Sequence, residues 1–287
     1  MMQLVVYGLI SGSILALGAI GLTLIYRILN FANFAHGDLM ALGAYLALAC
    51  KVGLDLPMWL AFLLAMLCTG GLGVLLDRLW FRPLRQRQAR AAILAMSSLG
   101  LALLLQNSIR LLWGPQVHYY SRTIHFPFTV PLLEVRLNSQ QVLIFALAVA
   151  LVVLVSLFLH YTPLGKAMRA TSDNATLALV SGIDTERVVR YTWMLGASLA
   201  AAGGILLGMS VRLQPIMGWE LLLPIFAATV LGGIGSPVGA LVGALLIGLA
   251  EELSTPFLPT AYKTAVSLVL LVLVLLVRPR GLFGSGG

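Results

Sequence analysis

Charge is scarce in this sequence: charged residues make up 10% of the 287, against 60% hydrophobic, and the mean hydropathy is +1.00. Soluble domains carry about 25% charged residues. A water-soluble fold has no means of hiding so much apolar surface, whereas a bilayer accepts it as solvent. Cysteine is nearly absent as well. Cys50 and Cys68 lie in or beside apolar runs and read as small buried hydrophobes rather than a disulfide. The four histidines are scattered without metal-ligand spacing, so no metal site is expected. There is no G-x-x-x-x-G-K-[ST] phosphate loop: Gly165–Lys166 is followed by Ala167 and lacks the earlier glycine. The chain itself is therefore not expected to hydrolyse ATP. No Ser/His/Asp or paired-carboxylate set stands at an interpretable spacing, so no catalytic residue and no cofactor is assigned. The net charge of +8 does not point to nucleic acid. A nucleic-acid binder gathers its basic residues on one solvated face, and here they sit in short loops between apolar runs.

What is present is a series of apolar windows near 3–26, 38–50, 57–77, 91–113, 141–160, 191–211, 221–233, 237–254 and 261–278. A perpendicular span needs roughly 20 residues. The run from Val142 to Leu159 carries no charge, while 38–50 and 221–233 are short and suit half-helices shielded by protein or a cavity. The first run lacks a basic leader and a cleavage site and reads as a span. Residues 78–90 hold five arginines and no acid, which makes this loop cytoplasmic. Alternation then places Arg27, the loop 161–190 and the tail with Arg278 and Arg280 inside. The segment 114–140, with Pro115, Pro127, Pro131 and His118–Tyr120, falls outside with the N-terminus. On this map twelve of the 18 Lys and Arg lie inside and six outside. The expected fold is all-α, a polytopic membrane protein of about eight or nine transmembrane helices with possible half-helices. Residues 1–287 form one membrane domain, N-terminus outside and C-terminus cytoplasmic.

Small residues recur at every fourth position: Gly8, Gly12 and Ala16; Gly196, Ala200, Gly204 and Gly208; Gly235, Gly239 and Gly243. Lipid supplies little hydrophobic drive between helices, so close backbone approach does the packing. Tight packing within the chain is expected rather than a dimer interface.

The loop 161–190 offers Thr171, Ser172 and Asp173 as N-cap types, Leu177 to Val180 as an apolar face, and Gly182 as a left-handed stop. These define a short amphipathic helix around 172–182, flanked by Lys166, Arg169, Arg187 and Arg190. It suits docking into a groove on a cytoplasmic protein, and equally an ordinary connection with positive-inside charges. In NFAHGDL, Asp38 is a candidate cap and Gly37 a candidate sharp turn; Asn33, His36 and Asp38 are candidate inner-gate residues. LGGIGSPVG (Leu231 to Gly239) reads either as a broken helix presenting backbone to a solute, through Gly233 and Gly235, or as a tight turn capped by Ser236. Gln106, Asn107 and Arg110 lie towards the outer end of one span, and Glu251 and Glu252 at the outer end of another. Such groups attract functional suspicion, and Asn107 is kept as a pathway candidate. Snorkelling to the interface also accounts for both sets.

The loop resembles the cytoplasmic coupling segment of the branched-chain amino-acid permease family of ABC importers. Six stretches carry the likeness in order: GLTLIY (Gly21 to Tyr26), NFAHGDL (Asn33 to Leu39), LGKAMRATSDN (Leu164 to Asn174), LVSGIDTERV (Leu179 to Val188), VLGGIGSPVGALVGALLIG (Val230 to Gly248) and VRPRGLFG (Val277 to Gly284). The resemblance implies a second permease subunit, a related chain rather than an identical one, and two cytoplasmic ATPase subunits that carry ATP and Mg. It also implies an extracytoplasmic substrate-binding protein, and lipid contact in a bacterial cytoplasmic (inner) membrane. It makes Gly165, Lys166, Arg169, Asp173, Asn174 and Gly182 the candidate ATPase-coupling residues. Members of the family carry leucine, isoleucine and valine, other amino acids, or small amides such as urea. A stand-alone transporter or channel calls for intramembrane ionisable groups, and Arg110 alone is thin support. An intramembrane enzyme lacks catalytic spacing.

Overall fold

The computed structural model describes residues 1–120, 128–130, 135–278 and 281–283. The positions Pro127, Pro131, Arg280 and Gly284 lie outside these residues. Helix α1 (Met2–Leu29) is apolar on every side, which suits hydrocarbon and protein surroundings alike, and its glycines and alanines let other helices come close on several faces. It forms the centre of the bundle with two antiparallel neighbours, α9 (Thr185–Ser210) and α11 (Pro237–Ser254). The small-residue stripes are what let them approach. A Cβ on Gly8 would stand 2.8 Å from the Leu249 backbone, one on Gly12 2.9 Å from that of Leu245, and one on Gly21 2.7 Å from the Gly196 carbonyl oxygen. The stripes pack within the chain, as expected, and van der Waals contact between backbones replaces the hydrophobic drive that lipid does not supply.

Helix α3 (Met58–Leu76) lies on α9 through Gly70 and Gly73 and continues through a π turn, Asp77–Phe81, into α4 (Arg82–Gln86). At the periphery stand α5 (Ala91–Trp113), α6 (Ser139–Tyr161) and α12 (Lys263–Val277). Their exposed leucines and valines, among them Leu154, Leu157, Val272 and Leu276, are at ease in hydrocarbon. Cys68 belongs to this exposed surface of α3 and Cys50 is half-buried, both as free thiols, so the buried reading of these two is corrected. A short antiparallel hairpin, β1 (Phe128–Val130) and β2 (Val135–Leu137), leads into α6. Between α6 and α9 lie α7 (Pro163–Asp173) and α8 (Ala175–Val180).

Among the described residues, seven helices are long and apolar enough to cross a membrane. The shorter α2 (His36–Leu48) and α10 (Met217–Gly232) correspond to the two short windows. Their length has a cause. His36 Nε2 lies 2.9 Å from the carbonyl oxygen of Gly18, midway along α1. The chain after Leu29 therefore runs back to mid-bundle without helix before α2 begins. Residues 211–216 do the same after α9, and α10 starts where Gly218 meets Gly37.

Polar contacts gather at the two ends of the bundle. At the α7 end, Arg82 Nε is 3.2 Å from Glu186 Oε2, Arg85 Nη2 donates to the buried Asp77 carboxylate at 3.2 Å, and Phe81 stacks on Trp193 with centroids 5.0 Å apart. At the hairpin end, His118 and Leu213 exchange backbone hydrogen bonds of 2.9 Å, and the Tyr120 hydroxyl donates to the Ala44 carbonyl at 2.7 Å. Burial, with Tyr45 nearby, pushes the Tyr120 phenol well above its ordinary range, so it remains a donor. Glu251 and Glu252 have protein partners. Lys263 Nζ reaches Glu252 at 2.6 Å, Ser11 donates to the same carboxylate at 3.4 Å, and Ser267 donates to Glu251.

Candidate functional site

The α7 end is assembled from one sharp corner. Thr162 caps α7, its Oγ1 accepting from Gly165 N at 3.0 Å, and Pro163 occupies the first helical position, where its missing N–H costs nothing. A Cβ on Gly165 would stand 2.3 Å from the Leu159 carbonyl oxygen. Arg169 Nη1 donates to that same oxygen, a cation on the C-terminal carbonyls of α6. Gly165 and Arg169 thus look inward and fix the corner, while Lys166, Asp173 and Asn174 face out.

Helix α8 begins later than expected. Thr171, Ser172 and Asp173 form the last turn of α7, because the Thr162–Pro163 start carries the helical ladder through them. Asn174 is the first residue with extended backbone, φ −156°, and its Oδ1 accepts from Leu177 N at 2.9 Å. That is the geometry an N-cap requires. Gly182, at φ +86°, ends the helix as expected. Ala178 faces in, while Leu177, Leu179 and Val180 are 63%, 59% and 81% exposed.

Sequence reasoning gave Arg27 no role beyond its sign. In the structure Arg27 Nη2 lies 3.3 Å from Asp173 Oδ1, and a Cβ on Gly235 would stand 3.7 Å from Arg27 Cγ. One arginine at the end of α1 therefore joins a coupling candidate to a pathway candidate. No local motif marks it; only the pairing of α1 with α7 does. Of the two readings of Leu231 to Gly239, the structure has the tight turn. Gly233 and Gly235 adopt φ +106° and +90°, and Ser236 Oγ accepts from Gly239 N at 3.0 Å. The tail closes over it, Leu282 and Phe283 N–H groups donating to the Leu231 and Gly232 carbonyls at 2.8 and 2.9 Å. These are carbonyls that the end of α10 leaves unpaired. A cavity of about 550 Å³ opens between this turn, α1, α6 and α7.

A second cluster lies at mid-bundle. Asn33, His36 and Asp38 are almost wholly buried. Asn33 Oδ1 accepts from Ala35 N at 3.2 Å, and His36 bonds Gly18. The expected cap by Asp38 is not formed: α2 starts after Ala35 without a side-chain cap, and Asp38 sits in its first turn. Asn33 Nδ2, His36 Nδ1 and Asp38 Oδ1 have no hydrogen-bond partner among the described residues. Each such buried group costs about 1–3 kcal/mol, and such groups in a membrane protein concentrate at working positions. Gly37 serves close approach rather than a turn. The first turns of α2 and α10 abut there, both positive dipole ends, and each carries one carboxylate, Asp38 or Glu220. Asn107 belongs to neither cluster. It lies exposed on α5 and donates to the Leu103 carbonyl at 2.7 Å. No group of three or more His, Cys, Asp or Glu suited to a metal occurs among the described residues.

Residues 4–275 match the family described as branched-chain amino acid transport system, permease component. The chain is 34% identical to the high-affinity branched-chain amino acid transport system permease protein LivH of Salmonella typhimurium, over 96% of this chain and 93% of that one. It is 35% identical to the corresponding protein BraD of Pseudomonas aeruginosa, over 99% and 95%. A chain of the solved PsaBC–Fab complex from Streptococcus pneumoniae superposes with a TM-score of 0.52 at 13% identity, covering 97% of this chain and 91% of that one. At that identity the likeness concerns the fold.

Proposed function

The chain belongs to the branched-chain amino acid transport permease family, and on that premise we propose that it carries leucine, isoleucine, valine or a similar apolar amino acid by alternating access. It is the membrane-spanning permease subunit of an ABC importer, a multi-pass transport protein rather than an enzyme. The observation that carries this reading is identity of 34–35% to two amino-acid permeases along nearly the full length.

In the proposed assembly this chain pairs with a related second permease, two cytoplasmic ATPase subunits bind ATP and Mg, and an extracytoplasmic binding protein delivers the solute. The membrane is the bacterial inner membrane, with the N-terminus outside and the α7 end cytoplasmic. Residues 1–287 act as one membrane domain. What supports the coupling role of α8 is its form: a helix capped by Asn174, stopped by Gly182, and showing Leu177, Leu179 and Val180 outward, flanked in sequence by Lys166 and Arg169 of α7 and Arg187 and Arg190 of α9. That form suits a helix-in-groove contact with a motor. Arg169 and Gly165 hold the corner that aims it, and Asp173 with Lys166 lies on its outer side. At mid-bundle, Asn33, His36 and Asp38 sit where two half-helices meet, and this group is the proposed gate. Gly233 and Gly235 shape a turn apart from this group, at the α7 end beside Arg27, on the proposed cytoplasmic side of the pathway. Binding-protein-stimulated ATP hydrolysis by the reconstituted complex tests the assignment. A complex whose ATPase ignores a loaded binding protein counts against it.

A further inference from the structure

The cavity at the α7 end has a composition that the transport reading leaves unused. One side is aliphatic: Ile20, Leu24, Val152, Val155, Leu159 and Leu241 line it. The other side carries Arg27 and Asp173, whose charges meet at 3.3 Å. Its volume of about 550 Å³ falls within the roughly 300–1,000 Å³ of small-molecule sites. Arg169, the other guanidinium of the lining, is committed to the Leu159 carbonyl. Arg27 has the Asp173 contact as its one side-chain hydrogen bond among the described residues, and Asp173 Oδ2 has none.

We propose that this cavity binds an apolar α-amino acid zwitterion, so that transported solute acts back on the permease from the α7 end. The inference rests on the amino-acid importer reading. An exposed ion pair beside an aliphatic wall is complementary to such a molecule. The carboxylate takes the place of Asp173 at Arg27, the ammonium takes the place of Arg27 at Asp173, and the branched side chain enters the wall. Each charge keeps an opposite charge, and an exposed pair of this kind is weak, so the exchange costs little. The consequence lies in what the pair connects. It ties the last turn of α1 to the last residue of α7, immediately before Asn174 starts α8. A ligand that parts Arg27 from Asp173 loosens α8 from α1, and by linkage the state of the motor alters affinity for the ligand.

The test uses the complete complex in nanodiscs without binding protein, with leucine as the probe. Millimolar leucine is expected to slow basal ATP hydrolysis by up to about fivefold, the most that parting an exposed ion pair can transmit. Ser156→Trp and, separately, Val152→Trp fill the cavity from α6. Each is expected to keep basal hydrolysis and uptake while losing the inhibition, together with binding of labelled leucine to the purified permease. Intact uptake with no inhibition, inhibition unchanged in both variants, or a bound phospholipid that leucine does not displace overturns this inference alone. Failure of uptake with every amino acid, with binding protein present, overturns the importer reading and this inference with it.

Discussion

Gly37 and Gly218 face each other carbonyl to Cα where two half-helices begin: a Cβ on Gly37 would stand 2.1 Å from the Gly218 oxygen, and one on Gly218 2.5 Å from the Gly37 oxygen. Both obstacles are backbone, so neither can swing aside. Gly37→Ala is expected to destabilise the protein by about 1–3 kcal/mol or to prevent folding. Gly71→Ala, with nothing within 4 Å of the added carbon, is expected to stabilise its helix by up to about 1 kcal/mol. Thermal unfolding in detergent compares them. Equal stability of the two variants contradicts the apposition.

Helix α8 separates structural from docking roles. Asn174→Ala removes the cap, costing about 1 kcal/mol locally, and Asn174→Asp restores it. Leu179→Asp changes an exposed side chain and is expected to leave the melting temperature within a degree or so, since surface changes stay within about 0.5 kcal/mol. It should nonetheless abolish co-purification of the ATPase subunits. Retained ATPase on Leu179→Asp and Leu177→Asp together would remove α8 from the coupling interface.

Lys263 and Glu252 form a partly buried pair at 2.6 Å, with Ser11 on the same carboxylate. Lys263→Met leaves that carboxylate without its cation and is expected to cost about 1–3 kcal/mol. Adding Glu252→Gln should recover most of the loss, because the unpaired charge is then gone. Unfolding of the single and double variants measures it; a double variant no more stable than Lys263→Met would show that the pair is not coupled.

The proposed orientation has its own check. With Cys50 and Cys68 replaced by serine, Val180→Cys should react with an impermeant maleimide in inverted vesicles and not in intact cells. Met2→Cys should show the reverse pattern. Labelling of both from one side would require a different topology.

The helices were legible because their evidence is local. The uncharged run Val142 to Leu159 is α6, and the shortness of 38–50 and 221–233 announced α2 and α10. Why they are short was not legible, since Gly37 and Gly218 meet across most of the chain. The start of α8 slipped because four successive residues, Thr171 to Asn174, are all capping types. The choice between them is made upstream by Thr162 and Pro163, a start signal that was available in the sequence. Glu251 and Glu252 found partners in Ser11, Lys263 and Ser267 that no spacing rule brings together. Arg27 gained its role only through tertiary contact with Asp173.

Uptake into proteoliposomes tests the central claim most directly. This chain is reconstituted with a related permease and the ATPase subunits, with ATP inside and a binding protein and labelled leucine outside. Leucine accumulation that requires both ATP and the binding protein is the expected result. Leucine flux through this chain alone, indifferent to ATP, would contradict it and establish a channel or secondary carrier instead.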